Sequence, residues 1–393
     1  MPLSVSHVSF SAAGGAGSVA SRLAEEQRHR GMESFLFSVI DRDLRAQPFT
    51  APFHTGAAAL DQYIIKNPKF DGPISLLRDR IQAVAWSAIA QFDVVHLHGI
   101  NGALALKTVA KRLASARLVW TLHDMNPFTG ACHFSLGCDG FTRSCQQCPA
   151  TRELFQPLVV KSLSEKSDAL KNLTHLSLVS PSRWLASEAA RSSVFADKDI
   201  QVINNPVGGE FFRDIPRTTT DTKQGALAIG VIAQNLSDPR KNVAEAHRAF
   251  QRLLERGVSA HLFLIGDGGS EFVGPNVHRL GNLPAEQIIR HLDAWDILLN
   301  PSRAENAPLT IIEAAARGCP SFVANHGGMS EMVSDLGQGS TYNSETELTD
   351  LLDATSKISR SARNKHRDTL ASRARTLYAV SAAVDSYLEV YKK

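Results

Sequence analysis

Short apolar runs recur along the first half of the chain, separated by stretches of helical composition. Val5–Phe10, Ser34–Ile40, Asp93–Leu97, Leu118–Leu122, Leu176–Val179 and Ile200–Ile203 are the runs. Segments this short and this continuously apolar predict strands covered on both faces, as in a parallel sheet. Ser18–Arg30, stopped by Gly31, and Leu104–Leu113 read as helices between them, and the small-residue stretch Ser11–Gly17 as a loop. The pattern then restarts. Strands are predicted at Ala226–Ala233, His261–Ile265, Asp296–Leu299 and Ser321–Ala324, with helices at Val243–Glu255, Pro284–Ala294 and Pro308–Arg317. Between the halves, Asp214–Gly225 is polar, carries Pro216 and a threonine run, and reads as a linker. This alternation predicts an α/β chain of two Rossmann-like βαβ domains, residues 1–210 and 211–365. Residues 366–393 read as a helical tail free to pack back on the first domain. In open α/β sheets ligands bind beyond the carboxyl ends of the strands, so functional motifs should follow strands.

Composition narrows this picture. The 393 residues are 43% hydrophobic and 21% charged, which excludes a disordered or coiled-coil chain. Lys plus Arg number 42 and Asp plus Glu 39, a net charge of +3, so nothing points to a nucleic-acid partner. No apolar run approaches the ~18 residues of a membrane helix. Arg22 is the first basic residue, so no charged region precedes an apolar signal segment. The expectation is a cytoplasmic protein with reduced thiols.

Candidate chemistry follows the strands. Gly14-Gly15-Ala16-Gly17 comes after the first one and would let a phosphate approach a helix N-terminus. Gly15-x-Gly17-x-x-Ala20, with Asp41 ending the next strand, also satisfies the dinucleotide fingerprint and keeps a nicotinamide-dependent oxidoreductase as a rival. In the second half, Arg240-Lys241 would grip a diphosphate, Arg through two oxygens and Lys as a point charge. Gly266-Asp267-Gly268-Gly269 allows close backbone approach. In Glu305-Asn306-Ala307-Pro308-Leu309-Thr310, Asn306 reads as an N-cap and Pro308 as an early-helix residue, so the helix start presents free N–H groups beside Glu305. Glu313 lies in an otherwise apolar helix and should be paired or bound; a ribose diol is a natural partner.

Glu305 and Glu313, followed by Gly318-x-Pro320 and Gly327-Gly328-x-x-Glu331, resemble the C-terminal signature of retaining glycosyltransferase family 4. The Gly14-Gly15 loop, Val119–Asp124 and Ser180-Pro181-Ser182-x-Trp184 resemble its N-terminal half. His123 through Cys148-Pro149 resembles the cysteine-bearing insert of the colanic-acid or exopolysaccharide branch. The resemblance implies the GT-B fold: two facing Rossmann-like domains, an N-terminal one for the acceptor and a C-terminal one for a nucleotide-sugar donor, with the active site in the cleft. It implies that Arg240 and Lys241 bind the donor diphosphate, that Glu305 touches the sugar and Glu313 the ribose. It also implies that His123 sits near the transferred sugar and Gly15 near the diphosphate or acceptor. Gly266, Asn306, Pro308, Leu309 and Thr310 complete the donor set. Many members carry an Arg where this chain has Asn235; either Arg240 supplies the missing charge or the donor is held more weakly. The implied partners are a nucleotide diphosphate sugar and a glycan or lipid-linked glycan acceptor, in exopolysaccharide, lipopolysaccharide or capsule synthesis. A non-catalytic sugar-nucleotide or metal-binding protein is the other alternative.

Three features stand beside this reading. His96 and His98, two apart on a strand, share a face; they read as packed and hydrogen-bonded, or with His98 reaching the acceptor cleft. Cys132, Cys138, Cys145 and Cys148 read as a structural zinc site, with His133 and Asp139 as substitute ligands, or as four free or redox-active thiols. Their insert reads as poor in core-forming residues, so a metal would organise it; transfer itself requires no cofactor. Arg360, Arg363, Lys365, Arg367, Arg373 and Arg375 face only Asp368, which admits a solvated face or peripheral contact with the inner membrane.

Overall fold

The computed structural model describes residues 3–38, 47–48, 60–76, 83–101, 104–213 and 225–393. Asp41 and residues 214–224, the core of the expected linker, lie outside them. The chain forms two compact units, Met1–Pro206 with Val380–Lys393, and Val207–Ala379. No helix among the described residues is long and apolar enough to cross a membrane.

The first unit holds strands β1 (Ser4–Ser9), β2 (Glu33–Ser38), β3 (Gln47–Pro48), β4 (Val94–Leu97), β5 (Arg117–Thr121), β6 (Leu176–Ser180) and β7 (Ile200–Val202). They form one sheet in the order β3-β2-β1-β4-β5-β6-β7, and every pairing is parallel. Its helices are α1 (Gly14–His29), α2 (Ala83–Ile89), α3 (Leu106–Arg112), α4 (Gln156–Lys171) and α5 (Arg183–Arg191). The second unit holds β8 (Leu227–Asn235), β9 (Ala260–Asp267), β10 (Val277–Gly281), β11 (Ile297–Asn300), β12 (Ser321–Ala324) and β13 (Gly339–Tyr342), ordered β10-β9-β8-β11-β12-β13 and again all parallel. Its helices are α6 (Val243–Glu255), α7 (Ala285–Ala294), α8 (Leu309–Ala316), α9 (Met329–Leu336), α10 (Glu345–Ser356), α11 (Arg360–Asn364) and α12 (Arg367–Tyr378). The last helix, α13 (Val380–Tyr391), belongs to the first unit and packs on α1.

The strand order reverses between β1 and β4 in one sheet and between β8 and β11 in the other. At such switch points the loops leave in opposite directions and open a crevice. The small-residue loop is shorter than expected: α1 begins at Gly14, and no side chain caps it. Helix α8 begins at Leu309 with Pro308 in the cap position, so Asn306 is not its cap but a buried loop residue.

The basic stretch near the C-terminus also departs from expectation. Leu370, Ala374 and Tyr378 bury α12 in the core of the second unit, so the return to the first unit begins only at Val380. Arg367 is buried and donates to the carbonyls of Leu292, Asp293, Trp295 and Arg317. Arg363 pairs with Asp296 at 2.9 Å, Arg360 donates to the carbonyl of Ala294, and Arg373 and Arg375 donate to those of Asp335 and Phe212. The carbonyls at the end of α7 lack intrahelical donors, and Arg360 and Arg367 satisfy those of Leu292, Asp293 and Ala294. Arg367 and the Asp296-paired Arg363 are therefore spent inside the unit, while Lys365, Arg373 and Arg375 stay exposed.

Candidate active site

In the second unit the site forms at the β8/β11 switch point. Beyond β8 the chain turns through Asp238, whose carboxylate accepts from the N–H of Arg240 at 2.9 Å and from its Nη2 at 3.2 Å. Beyond β11 it brings Glu305 to the same place. Arg240 Nη1 lies 3.2 Å from Glu305 Oε1, and Lys241 Nζ donates to that same oxygen. Glu305 is only 8% exposed. Two cations thus converge on one buried carboxylate oxygen. The backbone locks the loops together: Arg303 N–H donates to the Arg240 carbonyl at 2.8 Å and Gly328 N–H to the Glu305 carbonyl at 3.0 Å. Gly327 explains the glycine pair. Its φ is +64°, and a Cβ there would stand 1.8 Å from the Glu305 carbonyl oxygen.

The remaining donor residues divide. Leu309 and Thr310 form the first turn of α8, behind Pro308, close in sequence to the paired Glu305. Glu313 is half-buried while Ile311, Ile312 and Ala314–Ala316 are buried, so it occupies the open side of α8. Gly266 is buried within β9, and a Cβ there would stand 1.8 Å from the Ala233 carbonyl oxygen. Asn235, where an Arg is common in the family, closes its own turn by accepting from Ser237 N–H at 2.9 Å.

In the first unit, a pocket of about 300 Å³ opens at the β1/β4 switch point. Ser9, Gly15, Gly99, Asn101, Asp61 and His133 are among its lining residues. Gly15 is exposed in the first turn of α1. Asp124 anchors one wall: its carboxylate accepts from His133 Nδ1 at 2.7 Å, Asn101 Nδ2 at 2.9 Å and Asn126 N–H at 2.8 Å. Burial pushes the Asp124 carboxyl up, but His133 and these donors together hold it below its ordinary value. His133 Nε2 meets Ser75 Oγ at 2.9 Å, so both ring nitrogens are engaged and His133 is no substitute metal ligand. Asp139 is likewise paired, with Arg143 at 3.0 Å.

His123 follows β5 and is half-buried, its Nε2 lying 3.1 Å from His98 Nδ1. Burial lowers its pKa to about 4, against the opposing charge of Asp124. His98 is thus turned inward onto His123 and His7, not outward to an acceptor. The sequence reading overlooked His7, Gln27, Tyr387 and Tyr391, which complete this cluster. Register was the available signal, since His7 pairs opposite His96 across β1 and β4.

The cysteine insert is better packed than its composition suggests. Met125, Phe128, Ala131, Cys132, Phe141, Cys145 and Cys148 belong to the main core of the first unit. Beneath them Lys166, 2% exposed, donates to the carbonyls of Asn126 and Thr129 at 2.6 and 2.7 Å, and burial lowers its pKa to about 8. Core packing and this lysine hold the loop, so it is richer in core-forming contacts than its composition suggests. The four thiols fit zinc in donor type, and Cys138 and Cys145 accept backbone N–H bonds from Gly140 and Gly130. Burial raises Cys132 and Cys148, and brings Cys145 to about 11. Among the described residues, the set of three or more ligating side chains with all ligand atoms within 4.8 Å is His7, His96 and His98, not the cysteines.

Residues 13–208 match the sequence family described as Glycosyltransferase Family 4, and residues 226–360 match Glycosyl transferases group 1. WcaC of Escherichia coli (strain K12), named for colanic acid biosynthesis glycosyl transfer, is 25% identical over 358 residues, covering 87% of this chain and 85% of WcaC. The N-acetyl-alpha-D-glucosaminyl L-malate synthase of Bacillus anthracis is 25% identical over 351 residues, 85% of this chain and 81% of that protein. Anabaena Alr3699/HepE, crystallised with UDP, superposes with a TM-score of 0.68 at 16% identity, covering 99% of this chain and all of that one (100%). A glycosyltransferase from Rickettsia africae gives 0.67 at 15% identity, covering 100% and 98%. Those structural likenesses show the GT-B fold, and with the two matched regions spanning both units, the chain belongs to the family 4 glycosyltransferases.

Proposed function

We propose that this glycosyltransferase moves a sugar from a nucleotide diphosphate donor to a growing glycan, with retention of configuration, in exopolysaccharide, lipopolysaccharide or capsule assembly. The observation that carries the reading is the convergence of Arg240 and Lys241 on Glu305 at a switch point. As the bond from the sugar C1 to the diphosphate breaks, negative charge grows on the leaving oxygens. Two fixed cations stabilise that charge most where it is largest, in the transition state. A bound donor would draw Arg240 and Lys241 onto its phosphates and leave the Glu305 carboxylate for a sugar hydroxyl. Glu313 would take the ribose diol, and His123 would serve the transferred sugar from the first unit. Glu305 is then engaged by a sugar hydroxyl rather than placed as a nucleophile. Front-face departure fits better: the acceptor oxygen bonds to C1, and its proton passes to the leaving phosphate oxygen.

WcaC is named for colanic acid biosynthesis and HepE was crystallised with UDP, and both support a nucleotide-sugar donor and a polysaccharide acceptor. A lipid-linked acceptor would bring the protein to the cytoplasmic face of the inner membrane. The first-unit pocket, lined by Asp61, Asn101 and His133, has the hydroxyl-binding groups an acceptor glycan needs. Cys132, Cys138, Cys145 and Cys148 would hold a structural zinc that takes no part in transfer. The test is a screen of nucleotide sugars read by release of the nucleoside diphosphate. Release from a subset of donors is expected. No release from any donor, together with a thermal shift by NADH, would overturn the reading.

A further inference from the structure

The histidines inside the first unit form one continuous hydrogen-bonded chain. His7, His96 and His98 are 0%, 0% and 1% exposed. His7 Nε2 lies 2.9 Å from Gln27 Oε1. His7 Nδ1 lies 3.0 Å from His98 Nε2, and His98 Nδ1 lies 3.1 Å from His123 Nε2. On the other side, Gln27 Nε2 reaches the Tyr391 hydroxyl at 3.3 Å, which meets His96 Nδ1 at 2.8 Å, and His96 Nε2 meets Thr121 Oγ1 at 2.8 Å. All six ring nitrogens of His7, His96 and His98 thus have protein partners. A metal among them would have to break at least two of these bonds, so the cluster carries no metal site.

We propose that Gln27 is a positioning residue for His123, fixing its proton on Nε2 through His7 and His98. The proposal rests on the reading that His123 serves the transferred sugar. A neutral imidazole has one N–H and one lone pair. Burial keeps these rings neutral, lowering His7 to about 4 and His96 and His98 well below their ordinary value. The direction of every bond then follows from one end. Gln27 Oε1 can only accept, and it receives His7 Nε2–H and the Ser34 hydroxyl at 2.7 Å. His7 Nδ1 is therefore the lone pair, and His98 Nε2 must donate to it. His98 Nδ1 is then the lone pair, and His123 Nε2 must donate. His123 is then the Nε2–H tautomer, with its lone pair on Nδ1. Gln27 is fully buried on α1, two imidazoles away from His123, and touches no reacting group. A reversed carboxamide would turn every bond around and place the proton on Nδ1.

The direction can be read directly. Long-range proton–nitrogen spectra of the full chain with nitrogen-15 histidine report the tautomer of each ring, and His123→Ala assigns its signals. The expected wild-type spectrum shows His123 as the Nε2–H tautomer. Gln27→Met, which cannot accept from His7, should give a mixture of tautomers at His123 and lower kcat by about tenfold or more with little change in donor KM. Gln27→Glu still accepts and should keep the tautomer and most of kcat. An Nδ1–H tautomer in the wild type, a spectrum unmoved by Gln27→Met, or zinc bound stoichiometrically to the cluster would each overturn the proposal. The wild-type spectrum decides the direction whether or not Gln27→Met folds. Wild-type turnover by His123→Ala, with the Nε2–H tautomer intact in the parent, would instead reject the role given to His123 and leave the relay standing.

Discussion

Arg240 and Lys241 share one carboxylate oxygen, so each side chain has a separable consequence at the residue scale. Lys241→Ala should lower turnover about 100- to 1,000-fold, because a cation facing a leaving group counts most when charge has developed. Arg240→Ala should be nearly as harmful, since Asn235 supplies no charge. Diphosphate release with the verified donor, alongside circular dichroism to confirm folding, measures both, and unchanged rates would remove the diphosphate assignment. The two glutamates should part in a different way. Glu313→Gln should weaken nucleotide binding with little effect on the bound-state rate, because a ribose contact is the same before and during transfer. Glu305→Gln should lower the rate more than the binding. Calorimetry with the nucleotide alone checks this, and the opposite order would mean the two roles are exchanged.

At the scale of single elements, loops carry the site and glycines let them meet. Gly327→Ala would force a left-handed backbone on a residue with a Cβ and push it into the Glu305 carbonyl. The conformational part alone costs about 1 kcal/mol, and the clash adds to it. The expected result is a lower Tm for the second unit and a larger loss of turnover, as Glu305 is displaced from Arg240 and Lys241. A variant with native Tm and rate would show that the loop yields freely. In the cysteine insert, replacing Cys145 and Cys148 by Ser should release zinc, lower the Tm of the first unit and impair acceptor use. Elemental analysis of protein purified without chelator decides the point, and four titratable thiols with no metal would show that Lys166 and the aromatic core hold the insert alone.

For the molecule as a whole, the buried imidazoles set the response to acid. The pKa of His7 and of His123 falls to about 4 on folding, and those of His96 and His98 fall well below their usual value. The unfolded chain therefore binds more protons below about pH 6.5. The stability these groups allow is fully present above that pH and is lost as pH falls toward 4, with Asp124 adding to the loss in more acidic solution as its carboxyl protonates. Urea midpoints near pH 7.5, 5.5 and 4.5 should fall steeply for the first unit and much less for the second, where burial lowers only His291 among the described histidines with a resolved shift. Equal slopes would mean that the cluster takes up protons without unfolding.

The linear order of residues by itself determined the two α/β units, because a fully buried strand must be a short apolar run and a crossover helix must separate parallel neighbours. Helix α6 and strand β12 fall where periodicity placed them, Val243–Glu255 and Ser321–Ala324. That Arg240, Lys241 and Glu305 meet was legible because each follows a strand at a switch point. Tertiary structure alone decided the rest. Arg360–Arg375 read as a cationic run facing solvent or lipid, and Arg373 and Arg375 are exposed, yet Arg360 and Arg367 reach the carbonyls at the end of α7, whose need for donors no local pattern records. The insert read as loosely held because Phe128, Phe141 and the cysteines find their partners in distant segments. The relay from Gln27 to His123 joins α1, β1 and the ends of β4 and β5, with Tyr391 closing it from the far end of the chain. Periodicity reports which face a side chain takes, while the direction of a hydrogen bond depends on what folding brings to the other side.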